Sequence, residues 1–119
     1  MKKIIVVDDQ PDIIYSIKEG LGNDFDIIGV NSGKQLFRTL ETNIPDLVLL
    51  DIMMPEMSGW QVLKRLKENE RLKNIPVIII SVRKDQTAKN VGLFYADDFI
   101  EKPFTINEVK DSINKILKI

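Results

Sequence analysis

The sequence predicts an α/β fold: a doubly wound, five-stranded parallel sheet with helices on both faces. Short unbroken runs rich in Ile and Val carry no polar alternation, as strands covered on both faces do, although short buried helices can read the same way. Amphipathic segments of helical period lie between them. Strand and helix alternate five times, the signature of a parallel α/β sheet, with no internal repeat, low-complexity tract or linker in the 119 residues. The chain is therefore read as one domain, residues 1–119. Right-handed crossovers put every strand's carboxyl end on one edge, where open α/β sheets bind their ligands.

The first run, Ile4-Ile5-Val6-Val7, ends in Asp8-Asp9. A helical segment follows, with Pro11 near its start and Ile13, Ile14, Ile17 and Leu21 on one face. The second helical segment follows Ser32 and carries Leu36, Phe37 and Leu40. The run Leu47-Val48-Leu49-Leu50 then ends in Asp51, before Ile52-Met53-Met54-Pro55. Ser58 is a plausible N-cap for a third helix with Val62, Leu63 and Leu66. Ile75-Pro76-Val77-Ile78-Ile79-Ile80 ends in a hydroxyl, Ser81. A fourth helix over roughly Asp85 to Leu93 has the weakest pattern. Asp97-Asp98-Phe99-Ile100-Glu101 leads to Lys102-Pro103, and Thr105-Ile106-Asn107-Glu108 is a capping-box pattern opening a fifth helix with Val109, Ile113, Ile116 and Leu117.

Composition narrows the chemistry. Lys+Arg 17 against Asp+Glu 18 gives a net charge of -1, with no basic footprint for nucleic acid and no polybasic surface for membranes. No apolar stretch approaches the ~20 residues that span a bilayer, and Met1-Lys2-Lys3 leads into a run too short for a signal peptide. The absence of cysteine fits a reducing cytoplasm and removes thiolate nucleophiles and ordinary structural zinc. The absence of histidine removes the Ser-His-Asp triad and the imidazole base. Carboxylates, hydroxyls and lysine remain. Asp8, Asp9 and Asp51, gathered at strand ends, would repel one another unless a divalent cation joined them, and oxygen ligands suit Mg²⁺ or Mn²⁺. With Ser81 and Lys102 they make a site for handling a phosphoryl group.

Each residue also has a plainer reading. Asp8 and Ser81 could cap helices, Lys102 could be a surface lysine, and Phe99 could be core. Met53 and Met54 read as packing residues, with only the Met53 carbonyl assigned to function, and Trp60 as a packing or partly exposed aromatic. Asp51 resists a plain reading, because an apolar run leading into an acid is costly without a reason.

Taken together, Asp8-Asp9, Asp51-Ile52-Met53-Met54-Pro55 with Gly59, Ser81, Phe99 and Lys102-Pro103-Phe104 resemble, over the whole chain, the receiver domain of two-component response regulators. The resemblance implies a flavodoxin-like strand order, 2-1-3-4-5. It implies that Asp51 accepts a phosphoryl group from a sensor histidine kinase or phosphotransfer protein. Mg²⁺, with Mn²⁺ as an alternative, would be held by Asp9, Asp51 and the Met53 carbonyl, and by Asp8 through water. Ser81 and Lys102 would meet the phosphoryl group. Ser81 and Phe99 would carry the change to a surface formed by the fourth helix, fifth strand and fifth helix, and so to an output partner or domain. It implies a signalling domain that catalyses only its own phosphoryl transfer and loss, without direct nucleic-acid or membrane binding.

Other readings fit less well. Aspartyl-nucleophile phosphohydrolases often carry a second acid two residues on, where this chain has Met53. Asp8-Asp9-Gln10-Pro11-Asp12 would repel a flavin phosphate, and the intact acidic set argues against a phosphate-independent scaffold. There are departures from the family: Val82 stands where a small residue is common, and Tyr95-Ala96 replaces a Gly-Ala pair. The spacing from Ser81 to Lys102 is about one residue short, and the fifth helix has no arginine for the dimer some members form. By the resemblance, Met53 and Arg83 would flank the path of a hydrolytic water, with Val82 adding bulk beside it, which implies a long-lived phosphoryl group. The chain ends at Ile119, where such a domain ends, and both a single-domain regulator and part of a longer one fit.

Overall fold

Five parallel strands, β1 (Lys3–Val7), β2 (Asp26–Val30), β3 (Leu47–Asp51), β4 (Val77–Ser81) and β5 (Asp98–Glu101), pair in the order β2-β1-β3-β4-β5. The computed structural model describes residues 1–82 and 96–119. The helix expected over Asp85 to Leu93, Arg83 and Tyr95 lie outside the described residues. The described helices are α1 (Pro11–Leu21), α2 (Gly33–Thr39), α3 (Gly59–Glu68) and a C-terminal helix (Ile106–Leu117).

Side chains alternate across a strand, and here both faces are covered. Ile5, Val7, Val48 and Leu50 pack with Leu36 of α2 and Val62 and Leu66 of α3. Ile4, Val6, Leu47 and Leu49 pack with Ile17 and Leu21 of α1 and Val109 and Ile113 of the C-terminal helix. All of these side chains are buried, so β1 and β3 read as continuous apolar runs. Burying each contributes roughly 1.5–3 kcal/mol before the entropy of ordering is set against it.

The helix starts follow local chemistry. The Ser32 hydroxyl accepts from the Gln35 N–H at 3.1 Å. Ser58 with Gln61, and Thr105 with Glu108, form reciprocal capping boxes. The run from Ile75 becomes strand only at Val77, because Pro76 has no N–H for the ladder. Asp97 is not part of β5; its carboxylate accepts the Val77 N–H at 2.9 Å and pins the start of β4.

Two features deliver the site. β1 and β3 are neighbours, with Val7 beside Leu50, so Asp8, Asp9 and Asp51 emerge together. The loop after Asp51 turns back so tightly that the Gly59 N–H donates to the Ile52 carbonyl at 2.9 Å. A Cβ on Gly59 would stand 2.3 Å from the Asp51 carbonyl oxygen and 2.6 Å from the Ile52 Cα. Only glycine fits there.

Candidate functional site

Asp8 directly follows β1, and its two carboxylate oxygens are both engaged: Oδ1 accepts the Gln10 N–H at 2.9 Å and Oδ2 accepts from Lys102 Nζ at 2.9 Å. The helix-cap reading of Asp8 is thus displaced by two residues, because Gln10 is the N-cap of α1. Asp51, the last residue of β3, is only 3% exposed. Its Oδ1 lies 3.6 Å from Lys102 Nζ and accepts the Met53 N–H at 3.3 Å. Asp9 is the most open of the three acids, and one oxygen from each of Asp8, Asp9 and Asp51 lies within 4.8 Å of the others.

Lys102 follows β5 and is buried, contrary to its default reading. Its backbone N–H donates to the Ser81 carbonyl at 2.9 Å, which fixes the residue against the end of β4, and the Lys102–Pro103 peptide is cis. A buried ammonium needs anionic partners, and Asp8 and Asp51 supply them. Gln10 is a further partner, one that no sequence motif points to; its Oε1 accepts from Lys102 Nζ at 3.1 Å.

Burial raises the Asp51 carboxyl to about 6, and the Asp8 charge adds to the effect. Lys102 and the Met53 N–H pull it down, and Asp9 pushes it up again. The lysine therefore only partly offsets the crowding, and the surplus negative charge suits a cation.

Asp9, Gln10, Asp51, Met53, Val82 and Lys102 line a cleft of about 220 Å³. That is below the roughly 300 Å³ at which pockets for organic ligands begin, so the cleft admits only a small group. Met53 corrects the packing expectation: it is 54% exposed, on the rim of the cleft, because its N–H rather than its side chain turns toward Asp51. Met54 and Trp60 do pack against the core. Val82, 56% exposed, also lines the cleft.

Ser81 is fully buried at the end of β4. Phe99 of β5 stands beside Ile79 in register and packs, half-buried, against the core on the α2 and α3 face. Ser81 and Phe99 thus share one face of neighbouring strands. Next to Phe99, the Asp98 carboxylate accepts from the Ser112 hydroxyl and lies 3.3 Å from Lys115 Nζ. Burial alone would raise Asp98, but Ser112, the Phe99 N–H and Lys115 together hold it below the ordinary carboxylate value.

Residues 4–114 match the family model described as the response regulator receiver domain. The chain is 33% identical over 119 residues to the alkaline phosphatase synthesis transcriptional regulatory protein PhoP of Bacillus subtilis, covering 98% of this chain and 49% of that protein. It is 36% identical to the transcriptional regulatory protein CiaR of Streptococcus pneumoniae, covering 99% and 52%. It spans about half the length of both relatives. Among solved structures, the receiver domain of the Francisella response regulator 1452 superposes with a TM-score of 0.91 at 32% identity, covering 99% of this chain and 98% of that one. Among the described residues, no helix is long and apolar enough to cross a membrane.

The raised Asp51 carboxyl sets a stability prediction. Folded Asp51 keeps its proton to higher pH than an unfolded carboxyl, so ionising it in the folded state costs stability as pH rises toward about 6. In urea melts without divalent metal, the unmodified chain should lose stability between pH ~4 and ~7, and Asp51→Asn should be the more stable by about 1–3 kcal/mol at pH ~7. A less stable Asp51→Asn at that pH would contradict the assignment of charge crowding.

Proposed function

The chain belongs to the response regulator receiver domain family, and from that premise we propose that it is a phosphorylation-controlled switch whose phosphoacceptor is Asp51. One observation carries this reading: Asp51 is buried between two other carboxylates and a lysine, yet lines the open cleft. A donor of the histidine kinase or phosphotransfer type, in the cytoplasm, would present phosphohistidine to that cleft. The carboxylate oxygen then forms the new O–P bond as the donor's P–N bond breaks. Positioned positive charge stabilises the in-line transfer, and Lys102 supplies part of it.

The donor set fits Mg²⁺, or Mn²⁺, in being all-oxygen and rich in carboxylate. Asp9, Asp51 and the Met53 carbonyl would hold the ion directly, and Asp8 through water, since both Asp8 oxygens are already engaged. When bound, the ion would neutralise charge on the phosphoryl oxygens. A phosphoryl group at Asp51 would draw the Ser81 hydroxyl toward it and give Phe99, on the same face, room to turn inward. The surface that includes β5 and the C-terminal helix would then change for an output partner or domain, by biasing a pre-existing equilibrium. A hydrolase that turns over external phosphoesters is disfavoured, because the exposed Met53 cannot protonate a leaving group.

Incubation with acetyl phosphate and Mg²⁺ should add a single phosphoryl mass, absent in Asp51→Asn; full labelling of that variant would overturn the assignment. The acyl phosphate should also be long-lived, because Met53 and Val82 rim the cleft and neither can orient a water. Phosphate release should therefore accelerate in a Met53→Asn, Arg83→Glu double variant. Slower release from the variant than from the unmodified chain would refute the shielding argument.

A further inference from the structure

The start of α1 is irregular in a way that points to the cleft. Its N-cap is Gln10, not one of the strong capping types Ser, Thr, Asp and Asn, and the Gln10 side chain makes no capping hydrogen bond. It reaches instead across 92 residues of sequence to accept from Lys102 Nζ at 3.1 Å. The backbone prepares this reach. Pro11 at the first helical position keeps Gln10 extended, at φ -96° and ψ 109°. The Gln10 N–H is held by Asp8 Oδ1 at 2.9 Å, while Asp8 Oδ2 accepts from Lys102 Nζ at 2.9 Å. Asp8, Gln10 and Lys102 close a ring.

We propose that Gln10 is a positioning residue for phosphoryl transfer, fixing the Lys102 ammonium so that its remaining N–H faces the oxygens arriving at Asp51. This rests on the reading of Asp51 as phosphoacceptor. An ammonium has three donors in a tetrahedral array. Asp8 and Gln10 take two of them, and Asp51 Oδ1, at 3.6 Å, is within ion-pair range but beyond a hydrogen bond. The third donor is thereby left for phosphoryl oxygens arriving at Asp51. A donor fixed in advance stabilises developing charge without reorganising during the transfer. An amide is well matched to this role, since it anchors the ammonium without adding negative charge, whereas a second carboxylate beside Asp8 would offset more of the positive charge. Gln10 lines the same cleft as Asp51 and Lys102, so its effect falls on the reacting end of the site.

The test is the rate of Asp51 phosphorylation by phosphoramidate with saturating Mg²⁺. In this reaction the O–P bond forms as the P–N bond breaks, and ammonia leaves with the protons that the zwitterionic donor already carries. Gln10→Ala should slow the reaction ~5–10-fold. Gln10→Met, which keeps the length and loses the acceptor, should match it. Gln10→Glu, which keeps the acceptor and cancels charge, should also be slow. In a Lys102→Ala background, Gln10→Ala should change the rate by less than ~2-fold, since no ammonium is left to position. Mg²⁺ affinity, followed by Trp60 fluorescence, should be equal in Gln10→Ala and the unmodified chain. The proposal is overturned if Gln10→Ala or Gln10→Met reacts at the unmodified rate, if the loss persists in the Lys102→Ala background, or if Mg²⁺ affinity falls in step with the rate. Failure of the unmodified chain to label at Asp51 would instead remove the phosphoacceptor reading, and this inference with it.

Discussion

Among the described residues, three carboxylates share one end of the sheet with a single buried lysine, and the site's other properties follow from that imbalance. The effect falls on Asp51. Burial and the Asp8 charge disfavour its ionised form, and Lys102 only partly offsets them. A chain that needed only a stable fold would gain by replacing such a group, as the cost of buried like charges leads one to expect. Its presence fits the proposed role of Asp51 as phosphoacceptor, with positive charge supplied by a cation.

The fold generates this crowding with few special parts. Parallel strands covered on both faces send their carboxyl ends to one edge, and the adjacency of β1 and β3 brings Asp8 and Asp9 to Asp51. Gly59 lets the following loop fold back against the Asp51 carbonyl. The Lys102 N–H, bound to the Ser81 carbonyl, fastens the lysine to the neighbouring strand end. Ser81 and Phe99 lie on one face of β4 and β5, the placement on which the proposed switch rests.

Much of this was legible in the sequence, and the exceptions have physical causes. β1, β3 and β4 announced themselves because both parities of each strand are buried. β2 was implied only by the alternation: it is an edge strand, half-buried, and Gly29 interrupts its apolar run. Ser58 and Thr105 were readable as caps because their partners lie three residues away. Gln10 was not, because its partner lies 92 residues away and glutamine carries no local signature for that role. Met53 misled for a related reason. An apolar side chain suggests packing, but here the backbone N–H makes the inward contact and leaves the side chain on the rim.

The most direct test of the charge imbalance is the titration of the Asp51 carboxyl carbon, followed by ¹³C NMR with and without Mg²⁺. Without metal it should titrate near 6, and Mg²⁺ should move the midpoint downward as the cation offsets Asp8 and Asp9. A midpoint in the ordinary carboxylate range, unmoved by Mg²⁺, would contradict the account.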